Sequence, residues 1–244
     1  MSVRRWLSAF IVFFTFTGAF AQVQNGKLQI HHIDIGQGDG AVLISPQGEV
    51  VLFDMGEDLK KRDCQGAVDY LDQLGIQHID YIFVSHYHFD HIGCIPAVLK
   101  KFPLIHNSFD RGQSYPGATY TAYTTAVTAA KRKTATLGQV LTLDQGSSDP
   151  VKLTVFVLNA TFASGSPIKT DNENDLSVGV LVSFDGFKEE ISGDLSGEKA
   201  YDYQDIESPV AATVGPIDVY KVHHHCSSYS TNETWLKATQ PRLL

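Results

Sequence analysis

The sequence predicts an α/β protein in which strand and helix patterns are set out twice along the chain. Three observations carry this. Ile79, Tyr81, Ile82, Phe83 and Val84 form a short apolar run, bounded by Gly75 and a polar cluster, that reads as a buried strand. Helical patterns flank it: Ala67, Val68, Leu71 and Leu74 recur at helical spacing within 63–74, and residues 92–101 form another helical stretch. Beyond residue 139, stretches 140–143, 151–158, 176–184 and 187–191 read as strands of a second sheet.

Taken in order, Arg4 and Arg5 precede an apolar run over 6–16 and a small-x-small site, Ala19-Phe20-Ala21. This is the form of a secretory signal peptide over 1–21, leaving 22–244 as one mature domain. The run is shorter than the about 20 apolar residues of a membrane span. Paired arginines also hint at the twin-arginine route. Loss of these two positive charges takes the formal net charge from -8 to -10, which is unlike a general polyanion binder. The dense basic clusters are Lys131-Arg132-Lys133 and Lys60-Lys61-Arg62, and solvated helix ends are the commoner reading of each. Composition is otherwise that of an ordinary globular domain.

Residues 28–53 read as two or three strands, with Gly36, Gly38 and Gly40 punctuating the first turn. Glycines there let the backbone approach a site closely, so that Asp34, Gln37 and Asp39 either project toward it or cap their own amides. Asp54 closes the next strand. Residues 118–133 are Ala/Thr-rich and read as helix, after a turn at Tyr115-Pro116-Gly117; Tyr115, Tyr120 and Tyr123 are candidate cleft walls, although core or surface is the usual place for a tyrosine. A strand over 217–222 leads into His223, His224 and His225. Three cysteines in an oxidising compartment allow at most one disulfide. Cys64 and Cys94 could form it; Cys226 lies beside the histidines.

The polar cluster after the strand reads Ser85-His-Tyr-His-Phe-Asp-His-Ile-Gly93. His86 and His88, two apart on extended backbone, face one side, and neutral imidazole is the commonest ligand for borderline-soft metals. Asp90 and His91 follow at once and could hold a second ion nearby, as two-metal hydrolases require. Such a cluster at the C-terminal rim of a strand lies where α/β active sites form. His31, His32, His78 and His106 are isolated and read as satisfied surface or core residues.

The His-x-His-x-Asp-His motif resembles the signature of the metallo-β-lactamase superfamily. Three further stretches are similar to the metallo-β-lactamase-like domain of bacterial DNA-uptake (competence) channel proteins. They are Ile33-Asp-Ile-Gly-Gln-Gly-Asp-Gly40, the run from Asn174 to Ser192-Gly193-Asp194, and Lys221-Val-His-His-His-Cys-Ser227. In that branch the first reads D-V-G-Q-G-D and the last K-V-x-H-H-G-S, so Cys226 stands where the branch has glycine. The resemblance runs over roughly 28–244.

What it implies is a four-layer αβ/βα sandwich with two ions, zinc foremost and Mn2+ or Fe2+ as alternatives. His86, His88, Asp90, His91, Asp194 and His224 are the implied ligands, with His225 the alternate to His224. Asp194 would bridge both ions, although from the residues alone it could instead cap a helix opening at Ser196. Asp54 would orient a ligand, and Asp34, Gln37, Asp39, Asn174, Ser177 and Ser227 would be site-adjacent. The third histidine that most binuclear members supply to the first metal has no counterpart between His106 and His223; Asn172, Glu173, Asn174 or Asp175 lies about where it would be. The implied chemistry is attack by a metal-bridging hydroxide, with Asp90 orienting it and taking its proton. The expected substrate is a small-molecule or nucleic-acid phosphodiester; the alternatives are a β-lactam or lactone, or a metal-holding accessory of DNA uptake without turnover. The expected location is secreted or periplasmic. Related domains continue past Pro241-Arg-Leu-Leu244 with a strand and a helix, so a C-terminally truncated domain is also expected.

Overall fold

Two six-stranded sheets face each other in the structure, a computed structural model that describes residues 24–57, 63–163 and 166–244. The proposed signal segment and Lys60-Lys61-Arg62 lie outside the described residues. The first sheet runs β1 (Gln29–His32), β2 (Ala41–Ile44), β3 (Val50–Phe53), β4 (Ile79–Phe83), β5 (Leu104–Asp110) and β6 (Arg132–Thr134) in that order. Its first three strands are antiparallel, and β3 to β6 are parallel. The second has β7 (Val140–Thr142), β8 (Lys152–Leu158), β10 (Gly179–Phe184), β11 (Phe187–Ile191) and β12 (Val219–Tyr220) side by side, with β9 (Thr161–Phe162) paired to β8.

The alternation of side chains along each strand sorts them into layers. In β2, Val42 and Ile44 point to helices α1 (Gln65–Gln73) and α3 (Ile95–Lys101), whereas Ala41 and Leu43 point inward to meet Leu153, Val155, Val180 and Val182 of the second sheet. On the outer face of that sheet, Phe156 and Val157 pack with Val210 of α5 (Glu207–Val214) and Trp235 of α6 (Glu233–Thr239). Helix, sheet, sheet and helix give the four-layer αβ/βα sandwich that was expected.

Several local expectations need correction. The 92–101 helix is two: α2 (Phe89–Ile92) begins inside the histidine motif, and α3 restarts after Cys94 with Pro96 in its first turn, where a missing amide costs nothing. The 118–133 helix stops at Val127 as α4 (Ala118–Val127); Thr128 turns to φ 68° and the chain enters β6. Pairing overrides propensity there, because Arg132 ion-pairs with buried Asp110 (Nε–Oδ2 2.5 Å) while β6 extends the sheet, so the basic cluster is not a solvated helix end. The 176–184 strand starts only at Gly179, after a 3-10 turn over Asn174–Leu176. No helix opens at Ser196; its carbonyl accepts the Ile206 and Glu207 amides, and the next helix is α5. At the far edge, Leu243 bridges Val219 of β12.

Cys64 and Cys94 are disulfide-bonded across 30 residues, tying the start of α1 to the end of the ligand loop. A loop of that size restricts the unfolded chain by about 3.6 kcal/mol. Reductant should therefore lower the thermal midpoint by several degrees, whereas Cys64→Ala/Cys94→Ala should sit at that lower midpoint with or without reductant.

Candidate metal centre

Strand β4 ends at Phe83 between β3 and β5, and the chain leaves its C-terminal rim directly into Ser85-His86-Tyr87-His88 before α2 turns back. One carboxylate organises this corner. Asp54, at φ 51° just past β3, accepts the Ser85 amide (2.7 Å), the Ser85 hydroxyl (2.6 Å) and His91 Nδ1 (2.9 Å). Asp54 would thereby hold a proton on His91 Nδ1 and leave Nε2 to face the site. His86 is set similarly, with Nδ1 3.0 Å from Ser85 Oγ and 3.4 Å from Ser177 Oγ.

Gly56 and Gly38 press against the same loop. A Cβ on Gly56 would lie 1.7 Å from the Asp90 carbonyl oxygen, and one on Gly38 2.7 Å from it, while the Asp39 amide donates to that oxygen at 2.9 Å. Gly56→Ala should consequently displace Asp90 and His91 and reduce metal content, measured by elemental analysis of the purified protein.

Tyr87, between the two histidines, is held at three points. Its amide donates to Glu173 Oε1 (2.9 Å), its hydroxyl donates to Asp110 Oδ1 (2.9 Å), and the Arg111 guanidinium lies 4.6 Å from its ring centre. Arg111 also reaches Glu173 through Nε (2.9 Å) and Nη2 (2.5 Å), so the two buried charges neutralise each other. Glu173 is thus committed to the loop and to Arg111. This clamp was not foreseen from sequence; the only signal was a charged pair, Asp110-Arg111, at the end of an otherwise ordinary strand.

Imidazole nitrogens and carboxylate oxygens converge around Asp194, which is 2% exposed. Its Oδ1 is 3.2 Å from His91 Nε2, and its Oδ2 is 3.8, 3.7 and 3.5 Å from Nε2 of His86, His224 and His225. His86 Nε2 is 3.0 Å from His88 Nδ1, His91 Nε2 is 3.3 Å from His225 Nε2, and Asp90 Oδ2 is 3.5 Å from His225 Nε2. All six residues read as ligands are therefore brought together, His225 with them. With no helix opening after it, Asp194 is not a cap. Among the described residues, Asp39, His91, Asp194 and His225 form a group whose donor atoms all lie within 4.8 Å of one another, and His225 and not His224 stands in it.

Of the site-adjacent residues, Asn174 lies by the centre, its amide nitrogen 3.4 Å from His224 Nε2, and the Ser177 hydroxyl accepts the Asp194 amide at 3.2 Å. Asp34 and Gln37 do not join it: both are exposed, and Asp34 accepts the Gly36 amide. Ser227 closes its own loop by accepting the Tyr229 amide. His223, given no role from sequence, is fully buried between Glu207 (2.7 Å) and Glu190 (3.4 Å) and anchors the segment carrying His224 and His225. Tyr123 is core and Tyr120 packs on Tyr87, but Tyr115 lines a cleft of about 780 Å3 that opens at His88 and Asn174. Arg111, Lys169, Asp202 and Tyr203 also line it.

Charge and donor chemistry fit a divalent transition metal. Burial, with His91 beside it, holds the His86 imidazole well below its ordinary range, so it is neutral with a lone pair to offer. Burial would raise Asp194, yet the surrounding histidines hold it well below the usual carboxylate range. Burial would also raise Asp39, but Lys221, His225 and His91 bring it to about 2. Asp194 Oδ1, which faces the histidines, is buried with no hydrogen-bond partner among the described residues. A mixed imidazole and carboxylate set with such an oxygen left open suits zinc.

Residues 40–123 match the family model described as the metallo-β-lactamase superfamily. A segment of 82 residues is 33% identical to the cleavage and polyadenylation specificity factor 73 of Drosophila melanogaster, covering 32% of this chain and 12% of that protein. Among solved structures, a HARLDQ-motif mutant of a Cronobacter sakazakii metallo-β-lactamase aligns over 78% of this chain and 75% of its own at 15% identity (TM-score 0.51). The Rm3 metallo-β-lactamase aligns over 78% and 73% at 16% identity (TM-score 0.50). The fold is that of the metallo-β-lactamases, and the match to the superfamily model covers about a third of the chain. The similarity to competence-channel proteins rests on the sequence motifs alone.

Proposed function

We propose that this chain is a binuclear, zinc-dependent hydrolase whose substrate is a phosphodiester, exported by its N-terminal segment. The observation that carries it is the convergence of five histidines and two aspartates around one carboxylate, with His88 of that cluster lining the adjoining cleft. His86, His88, Asp90, His91, Asp194 and the His224-His225 pair would hold the ions. When bound, zinc lowers the pKa of a coordinated water to about 7 and polarises the scissile ester.

The chain's own residues do the rest. Burial would raise Asp90, but His225 and His91 hold it below the usual carboxylate range, so it is ionised and able to take a proton from an attacking water. Tyr115 and Tyr203 wall the cleft, and Lys169 brings a cation to it, while Arg111 is committed to Glu173. A relative named for cleavage and polyadenylation, similar over 82 residues, supports the same choice of substrate.

A second reading, β-lactam or lactone opening, is favoured by the fold likeness to metallo-β-lactamases. Zinc-loaded protein should hydrolyse bis(p-nitrophenyl) phosphate and leave a chromogenic cephalosporin intact; the reverse selects the second reading. Two bound ions with turnover of neither reporter would mark a metal-holding accessory. For export, protein recovered outside the cytoplasm should begin at Gln22, and an intact Met1 on a membrane-bound product would refute cleavage. No described helix is long and apolar enough to cross a membrane.

A further inference from the structure

The sequence leaves the first metal one histidine short, and the geometry shows where a replacement comes from. His224 and His225 both adopt left-handed backbone, at φ 48° and 51°, which non-glycine residues enter only when the surroundings impose it. Here they do: the His223 amide donates to the Tyr220 hydroxyl, its ring is fixed by Glu207, and the His224 amide reaches the Gly193 carbonyl. The consequence is that two successive rings diverge, with centroids 6.1 Å apart and planes at 70°. Each Nε2 approaches Asp194, but in different company.

His225 Nε2 lies 3.3 Å from His91 Nε2 and 3.5 Å from both Asp90 Oδ2 and Asp194 Oδ2, with His91 Nε2 3.2 Å from Asp194 Oδ1. Tetrahedral zinc with bonds of about 2.0–2.1 Å separates its ligand atoms by about 3.3 Å. The three pairs that His225 makes, and the His91–Asp194 pair, already have about that spacing. Asp39, although close, is on the wrong side: its oxygens meet Nδ1 of His225 (3.4 Å) and Nδ1 of His91 (3.7 Å), behind both rings, and Lys221 neutralises it. An imidazole whose Nε2 faces an ion cannot turn Nδ1 to the same ion. His224 Nε2, by contrast, lies 3.7 Å from the Asp194 oxygen that His86 Nε2 approaches at 3.8 Å, with His88 Nδ1 3.0 Å from His86 Nε2.

We infer that the adjacent histidines are divided between the two ions. His224 joins His86, His88 and Asp194 as the missing third histidine of the first site, and His225 joins Asp90, His91 and Asp194 at the second. Asp39 is not a ligand; held by Lys221, it orients His225. Thus Asp39 of the glycine-rich turn and Lys221, 182 residues apart, form one positioning device. The inference rests on the metallohydrolase reading above.

The test follows each ion separately in the whole protein, using zinc and cobalt titrations against a chelator and spectra of 15N-histidine-labelled protein. In wild type, zinc should shift Nε2 of His86, His91, His224 and His225 and Nδ1 of His88, leaving Nδ1 of His225 protonated. His224→Ala and His225→Ala should each weaken one ion by 100-fold or more and spare the other, and with cobalt the two variants should lose different absorption bands. Asp39→Asn should weaken the second ion about 10- to 100-fold and disturb the His225 tautomer, with Asp39→Glu recovering part of both. If His224→Ala keeps two ions at unchanged affinity, or if both variants lose the same ion, the division is wrong. The wild-type spectra decide the matter where a variant fails to fold: a His224 signal indifferent to zinc overturns the inference. Wild-type protein that takes up no transition metal would instead overturn the metallohydrolase reading itself.

Discussion

Asp194→Ala should purify with less than one zinc per chain and show activity at background. Among the described residues, the carboxylate is the only acidic group within reach of Nε2 of His86, His91, His224 and His225 together. Two divalent ions held about 4 Å apart would repel strongly in a buried, low-dielectric site, and on the proposed reading the shared charge would offset that repulsion. Without it at least one ion leaves, and metal and turnover are lost together. Asp90→Asn is the informative contrast. It keeps an oxygen facing His225 but cannot take a proton, so turnover should fall by about 10² while much of the metal remains. Elemental analysis and initial rates on the same preparations separate the two. Near-normal zinc and activity in Asp194→Ala would refute the bridge.

Much of this cluster was legible in the sequence because its candidate ligands are local. His86, His88, Asp90 and His91 lie within six positions after one strand, and a motif that compact survives errors in assigning helix ends. The sandwich was legible for a related reason: Val42 and Leu43, neighbours in sequence, face different layers, and that alternation is written along the chain. What could not be read was set by contacts between distant residues. Choosing between His224 and His225 depends on two positive φ angles imposed by His223, Glu207 and Gly193. The end of α4 depends on Arg132 finding Asp110. The role of Glu173 depends on Tyr87 and Arg111, neither of which carries a pattern at its own position. Asp34 and Gln37 illustrate the opposite error, since a polar residue in a glycine-rich turn meets its own backbone as readily as a metal.

The pair beneath the ligand loop yields the largest expected change in stability. Arg111 is 3% and Glu173 9% exposed, and they meet at 2.5 Å. Arg111→Met keeps most of the aliphatic volume but leaves the Glu173 carboxylate buried with the Tyr87 amide as its remaining partner. Breaking a buried pair in this way costs about 3–5 kcal/mol, or about 10 °C in thermal midpoint for a domain of this size. Removing both charges is a different experiment. Arg111→Met/Glu173→Leu leaves no unpaired charge, and apolar replacements of buried pairs are often close to neutral, so most of the midpoint should return. Function should not return with it. The Tyr87 amide then lacks its acceptor, the segment between His86 and His88 is no longer fixed, and zinc affinity should stay reduced by about 10-fold or more. A double variant recovering both stability and affinity would show that the clamp serves the fold alone; one recovering stability only shows that Glu173 holds the metal-binding loop in place.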